Sequence, residues 1–103
     1  MVSLLLSAAL SVLSPLTLSQ ELDVIEGYGT HVFCQQYLTQ DAEIYLRELV
    51  FEASQRKPEV RDFFAGVHAA AMQHQIKYVY DRNYCINALP KAFAQVEAIK
   101  LIK

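Results

Sequence analysis

Pro58–Tyr80, PEVRDFFAGVHAAAMQHQIKYVY, is the stretch whose reading decides the fold. Proline suits the first helical position, where no backbone donor is needed, and Glu59 and Asp62 sit in the first turns, where the helix dipole favours acids. At about 100° per residue, Phe63, Phe64, Val67, Ala71, Met72, Ile76, Tyr78 and Val79 spread over more than half of the circumference. Asp62, Gln73 and Lys77, with Gly66 and Ala69 between them, leave only a narrow polar stripe. A helix this apolar is expected to be central, with the other segments wrapped around it.

Upstream, Gln55-Arg56-Lys57-Pro58 reads as the turn into that helix, and Ala42–Gln55 as the helix before it, capped by Thr39 or Asp41. Tyr45, Leu46, Leu49, Val50 and Ala53 share one face of that helix, while Ile44 and Phe51 fall on its wetter side, where a second partner could touch. Thr30 is placed to cap a short helix, HVFCQQYL, and the preceding Gln20–Gly29, ending in Gly27-Tyr28-Gly29, reads as a turning segment. Downstream, Asp81-Arg82-Asn83 reads as a break, Cys85 as part of a loop, and Pro90 as the start of a last helix. Ala92, Phe93, Val96 and Ile99 face inward on that helix; Leu101 and Ile102 fit the face poorly, which predicts a frayed end.

Residues 1–19, MVSLLLSAALSVLSPLTLS, carry no charged side chain and read as a secretory signal peptide. Leu4–Leu13 is its apolar core, Pro15 interrupts it, and Thr17 and Ser19 supply small residues for a cut before Gln20. The run is short for crossing ~30 Å of hydrocarbon. The expected domains are therefore residues 1–19, a cleaved leader, and residues 20–103, a helical domain that is periplasmic or secreted and off the membrane.

Cys34 and Cys85 are the two cysteines, and an even count in a small exported chain predicts a disulfide between them. Closing a loop of about fifty residues stabilises by roughly 4 kcal/mol in the chain-entropy model. The fold class that follows is all-α: a small four-helix domain around one long helix, stapled once.

Nine basic and eleven acidic residues give a net charge of −2, and their signs are interspersed. Nucleic-acid binding, which needs a clustered positive face, is not expected. His31 and Cys34, three apart, would form a Cys₂His₂ set with His74 and Cys85, but there is no Cys-x-x-Cys pair and export favours oxidised thiols. No metal or other cofactor is expected. His68 and His74 lie about 120° apart on their helix and read as separate, partly buried histidines, each satisfied by a neighbour. No nucleophile–base signature, HExxH or phosphate-cradling glycine loop is present, so the chain reads as a binding protein and not an enzyme.

Lys77–Tyr84 concentrates three tyrosines and an arginine beside Cys85, residue types that interfaces favour at their hot spots. Tyr80 projects toward the polar side with Asp62 and Gln73, Arg82 follows in a break, and Tyr84 adjoins a covalently fixed cysteine. Tyr80, Arg82 and Tyr84 are the candidate partner surface; core packing of Tyr78 and cover of the disulfide by Tyr84 are the competing reading. Gly66 with Ala69–Ala71 marks a side where another helix can approach, with an internal contact favoured over a homodimer seam.

Phe63-Phe64-Ala65-Gly66-Val67-His68-Ala69-Ala70, followed by Tyr84-Cys85-Ile86, resembles the central helix and downstream Cys-Ile-Pro of the Rap/Tai family, small periplasmic immunity proteins against type VI secretion effectors. The likeness spans roughly residues 30–90. Asn87 stands where that family often has proline, and Asp62 where a cysteine is common. The resemblance implies an exported, disulfide-bonded helical protein that neutralises a cell-wall-cleaving effector by binding it, and it carries no effector-contacting residue onto this chain. Cys34-Gln35-Gln36-Tyr37-Leu38 with a distant second cysteine is similar to HdeA-type periplasmic acid-stress chaperones, which implies a client protein in place of an effector.

Overall fold

The computed structural model describes residues 13–77 and 81–102, with backbone alone for 74–77. Four α-helices run in order, α1 (Leu18–Phe33), α2 (Gln40–Arg56), α3 (Glu59–Lys77) and α4 (Arg82–Val96), with short 3-10 turns at Gln35–Tyr37 and Glu97–Leu101. No strand occurs among the described residues. The all-α expectation holds, and Cys34 and Cys85 are joined, with their Cα atoms 5.5 Å apart.

The expected long helix is present as α3, 19 residues, and among the described residues α1 shares its central position. α1 packs against α3, α4 and the C-terminal turn, whereas α3 meets α1 and α2. α3 buries Val60, Phe64 and Ala71 and leaves Ala65, Gly66, Ala69, Ala70 and Met72 exposed. Much of its apolar circumference is alanine and glycine, which need no cover in water. The end of the long stretch, Tyr78–Tyr80, lies outside the described residues.

α1 runs straight through the segment that reads as a turn, because Gly27 acts there as a contact and not as a hinge. A β-carbon on Gly27 would lie 2.6 Å from the Ala92 carbonyl oxygen, so α1 and α4 approach too closely for any side chain. α1 begins with a capping box: Thr17 Oγ1 accepts from the Gln20 amide at 3.1 Å, and the Thr17 amide donates to Gln20 Oε1 at 2.9 Å. Leu13 and Leu16, just before it, are 0% and 5% exposed and belong to the main core with Val24, Leu46, Val60 and Phe64.

Thr39 caps α2 through the Ala42 amide, at 3.1 Å. The face of Leu46, Leu49 and Ala53 is buried, and Ile44 and Phe51 are exposed, as the periodicity predicts. Asp81 is a cap and not a breaker: its Oδ1 accepts from the Tyr84 amide at 2.7 Å, and Cys85 is consequently helical. α4 continues through Pro90, which lies inside the helix instead of starting it. The C-terminus is also better anchored than its pattern suggests. A change to 3-10 geometry turns Ile99 and Ile102 into the core, and Arg56 donates to the carbonyls of Ile102 and Ile99 at 2.5 and 3.2 Å.

Candidate functional site

A second, smaller core surrounds the disulfide. Cys34, Cys85 and Leu89 are buried there, with Phe33, Tyr37 and Leu38 packed against them. This ties the C-terminal end of α1 to the first turn of α4 and fixes the setting of the residues beside Cys85. With both sulfurs bonded to each other, Cys34 has no thiolate to offer a metal. Among the described residues no group of three or more His, Cys, Asp or Glu side chains could hold an ion.

Of the three candidate partner residues, Tyr80 lies outside the described residues. Arg82 and Tyr84 are both exposed, Tyr84 at 48%. They do not form one patch, since two residues of a helix separated by one position point to nearly opposite sides. Arg82 instead shares its side of α4 with Ile86, also exposed.

Tyr84 joins an open groove of about 1010 Å³ between α1 and α3. Ile25, Gly29 and Phe33 form one wall at four-residue spacing, and Phe63, Gly66 and Ala70 the other. Its openness comes from the small residues. A β-carbon on Gly66 would meet nothing within 4 Å, and Ala69 and Ala70 are exposed, so of the side expected to hold an internal helix contact only Ala71, 5% exposed, is buried among the described residues. Glu26 stands in this groove as an exposed carboxylate. The sequence signal for the α3 wall was the small-residue side; the α1 wall was hidden by reading Gly27 and Gly29 as a turn.

A second groove, about 470 Å³, lies between α1 and α2. Phe51, 63% exposed, stands in it with Leu38, Val50, Arg47 and Arg61. Arg47 is paired with Glu43 at 2.8 Å. His68, expected to be partly buried, is exposed at the edge of this groove. The side chain of His74 lies outside the described ones.

His31 is the buried histidine among the described side chains. It is 3% exposed, meets the Phe93 ring edge to face at 4.5 Å, and has Nδ1 2.7 Å from the Gly27 carbonyl oxygen. A carbonyl can only accept, so Nδ1 carries the hydrogen and Nε2 is a lone-pair acceptor in the neutral ring. Nε2 is buried and has no partner. Burial pushes the His31 pKa below its ordinary value, partly opposed by the Gly27 hydrogen bond. Glu21, near the start of α1, is its acidic counterpart: both carboxyl oxygens are buried without partners, and burial raises its pKa.

No family model, curated protein or solved structure matches this chain. The class is therefore defined by the molecule itself: a small all-α domain, stapled once by Cys34–Cys85, with exposed aromatic residues beside two open grooves. No described helix is long and apolar enough to cross a membrane.

Proposed function

We propose that this chain is an exported binding protein, without catalysis of its own, that neutralises a cell-wall-cleaving effector by occupying it. Tyr84 is the observation that carries this reading. A half-exposed aromatic ring sits next to a buried, disulfide-bonded cysteine and lines a groove between two helices. A ring on so fixed a turn loses little freedom on binding, and tyrosine combines apolar area with a polar tip. Arg82 and Ile86 present a second exposed face of the same turn. The immunity role itself comes from the Rap/Tai resemblance of Phe63–Ala70 and Tyr84-Cys85-Ile86, and the disulfide is compatible with an oxidising compartment.

The test is titration of the oxidised protein at neutral pH with the product of an adjacent exported amidase-like gene. Tight binding is expected, and Tyr84→Ala should weaken it by about 2 kcal/mol if the ring is a hot spot, with folding changed by less than about 1 kcal/mol. A large loss of thermal stability with affinity untouched would make Tyr84 a cover for the disulfide and remove it from the interface.

A second reading, a periplasmic acid-stress chaperone, is favoured by His31, whose buried neutral ring must charge as the pH falls. Its partner would be a client protein in place of an effector. Reversible binding of a hydrophobic dye together with client protection near pH 2–3 supports the chaperone; their absence, with neutral-pH effector binding, supports immunity.

A further inference from the structure

We infer that the folded domain includes Leu13–Ser19, so that the exported protein is not cut between Ser19 and Gln20. Three features of this segment serve the fold. Leu13 and Leu16 are 0% and 5% exposed and lie in the same core cluster as Val24, Phe64, Ile99 and Ile102. The two are held in a turn, the Leu16 amide donating to the Leu13 carbonyl at 3.0 Å. Thr17 then caps α1 reciprocally with Gln20, and its carbonyl accepts the Glu21 amide at 2.9 Å.

Cleavage after Ser19 would cut within the first turn of α1, which begins at Leu18. It would remove the cap and two core leucines, and it would leave a new ammonium at the positive end of the helix dipole.

The position of the cut rests on the export reading; the packing of Leu13 and Leu16 does not, and two measurements separate them. First, the full chain is expressed with its own N-terminus in a host that exports it, and the intact mass of the oxidised exported protein is measured. A mature N-terminus at or before Leu13 is expected. A product starting at Gln20, with the disulfide formed and a cooperative melt, overturns the inference. Second, the full chain is purified without export, oxidised and melted, alone and as Leu13→Ala, Leu16→Ala and Leu18→Ala. The two core truncations should each lower Tm by about 10 °C or more, and Leu18, 42% exposed, should shift it by less than about 3 °C. Failure of either core variant to fold, while Leu18→Ala folds and the milder Leu13→Val shows a graded loss, supports the packing. Wild-type melting of both core variants overturns it, whatever the result of the export arm.

Discussion

Gly27 and Ala92 meet backbone to backbone: a β-carbon on Gly27 would stand 2.6 Å from the Ala92 carbonyl oxygen, and 2.8 Å from the β-carbon of Gln95. Neither obstacle is the free end of a flexible side chain, so α1 and α4 would have to separate to admit one. Alanine gains about 1 kcal/mol over glycine in helix propensity, but overpacking of this kind costs about 1–3 kcal/mol and occasionally more. Gly27→Ala should therefore lower stability by about 2 kcal/mol net, toward the upper end because backbone cannot rotate away, with a Tm loss near 10 °C by calorimetry. A Tm rise of about 4 °C, the propensity gain alone, would show that the two helices do not touch here.

Gly66 should respond with the opposite sign. It too lies inside a helix, but its missing β-carbon would meet nothing within 4 Å. Gly66→Ala then keeps the propensity gain and adds no clash, raising stability by about 0.5–1 kcal/mol. A Tm rise of about 4 °C is expected. A fall would mean that this side of α3 is already occupied in solution, as a homodimer seam would occupy it, and the change should then depend on protein concentration.

The contrast between these two glycines also explains what the sequence disclosed. α2 was legible to within two residues at its start and one at its end, because its buried face, its wet Phe51 and Thr39, one of its two candidate caps, are all local signals. The disulfide followed from counting cysteines in a chain whose sequence reads as exported. α1 was not legible, because a glycine at a close approach and a glycine in a turn look alike until the opposing Ala92 is in place. α4 was obscured in the same way: Asp81 reads equally as breaker or cap, and Pro90 as a start, although tertiary packing carries the helix through it. The groove holding Tyr84 depends on both helices being continuous, so the ring could be singled out from sequence but its surroundings could not.

Reduction of Cys34–Cys85 should destabilise strongly. The bond closes a loop across a separation of 51 residues, for which the chain-entropy model gives about 4 kcal/mol. Both sulfurs are buried, so a chemical denaturation midpoint measured with and without reductant under denaturing pre-treatment avoids slow access to the bond. The reduced protein should unfold at markedly lower denaturant, by the equivalent of about 4 kcal/mol. Equal midpoints would mean that the helices hold without the staple, and that Tyr84 owes its position to the α4 cap alone.

The pH dependence of stability should carry two opposed contributions from α1. His31 has a folded pKa below its ordinary 6.5, chiefly through burial. The unfolded chain therefore takes up its proton first, and stability is lost as the pH falls from about 6.5 toward the lowered value. Glu21 has a folded pKa raised above 4.5 by burial. The folded chain holds its proton longer, so this contribution is fully present below 4.5 and lost as the pH rises through the raised value. Glu21→Gln, which removes the charge and keeps the shape, should raise Tm at pH 7 relative to the parent, with the difference shrinking as the pH drops toward 4. His31→Gln should flatten the acid limb below about pH 6.5, even if its overall Tm is lower through loss of the ring against Phe93. The slopes are the decisive readout, because packing losses shift both limbs together and titration shifts only one. Parallel curves for the parent and both variants would show that neither buried group titrates across folding, and would remove the acid-response observation on which the chaperone reading stands.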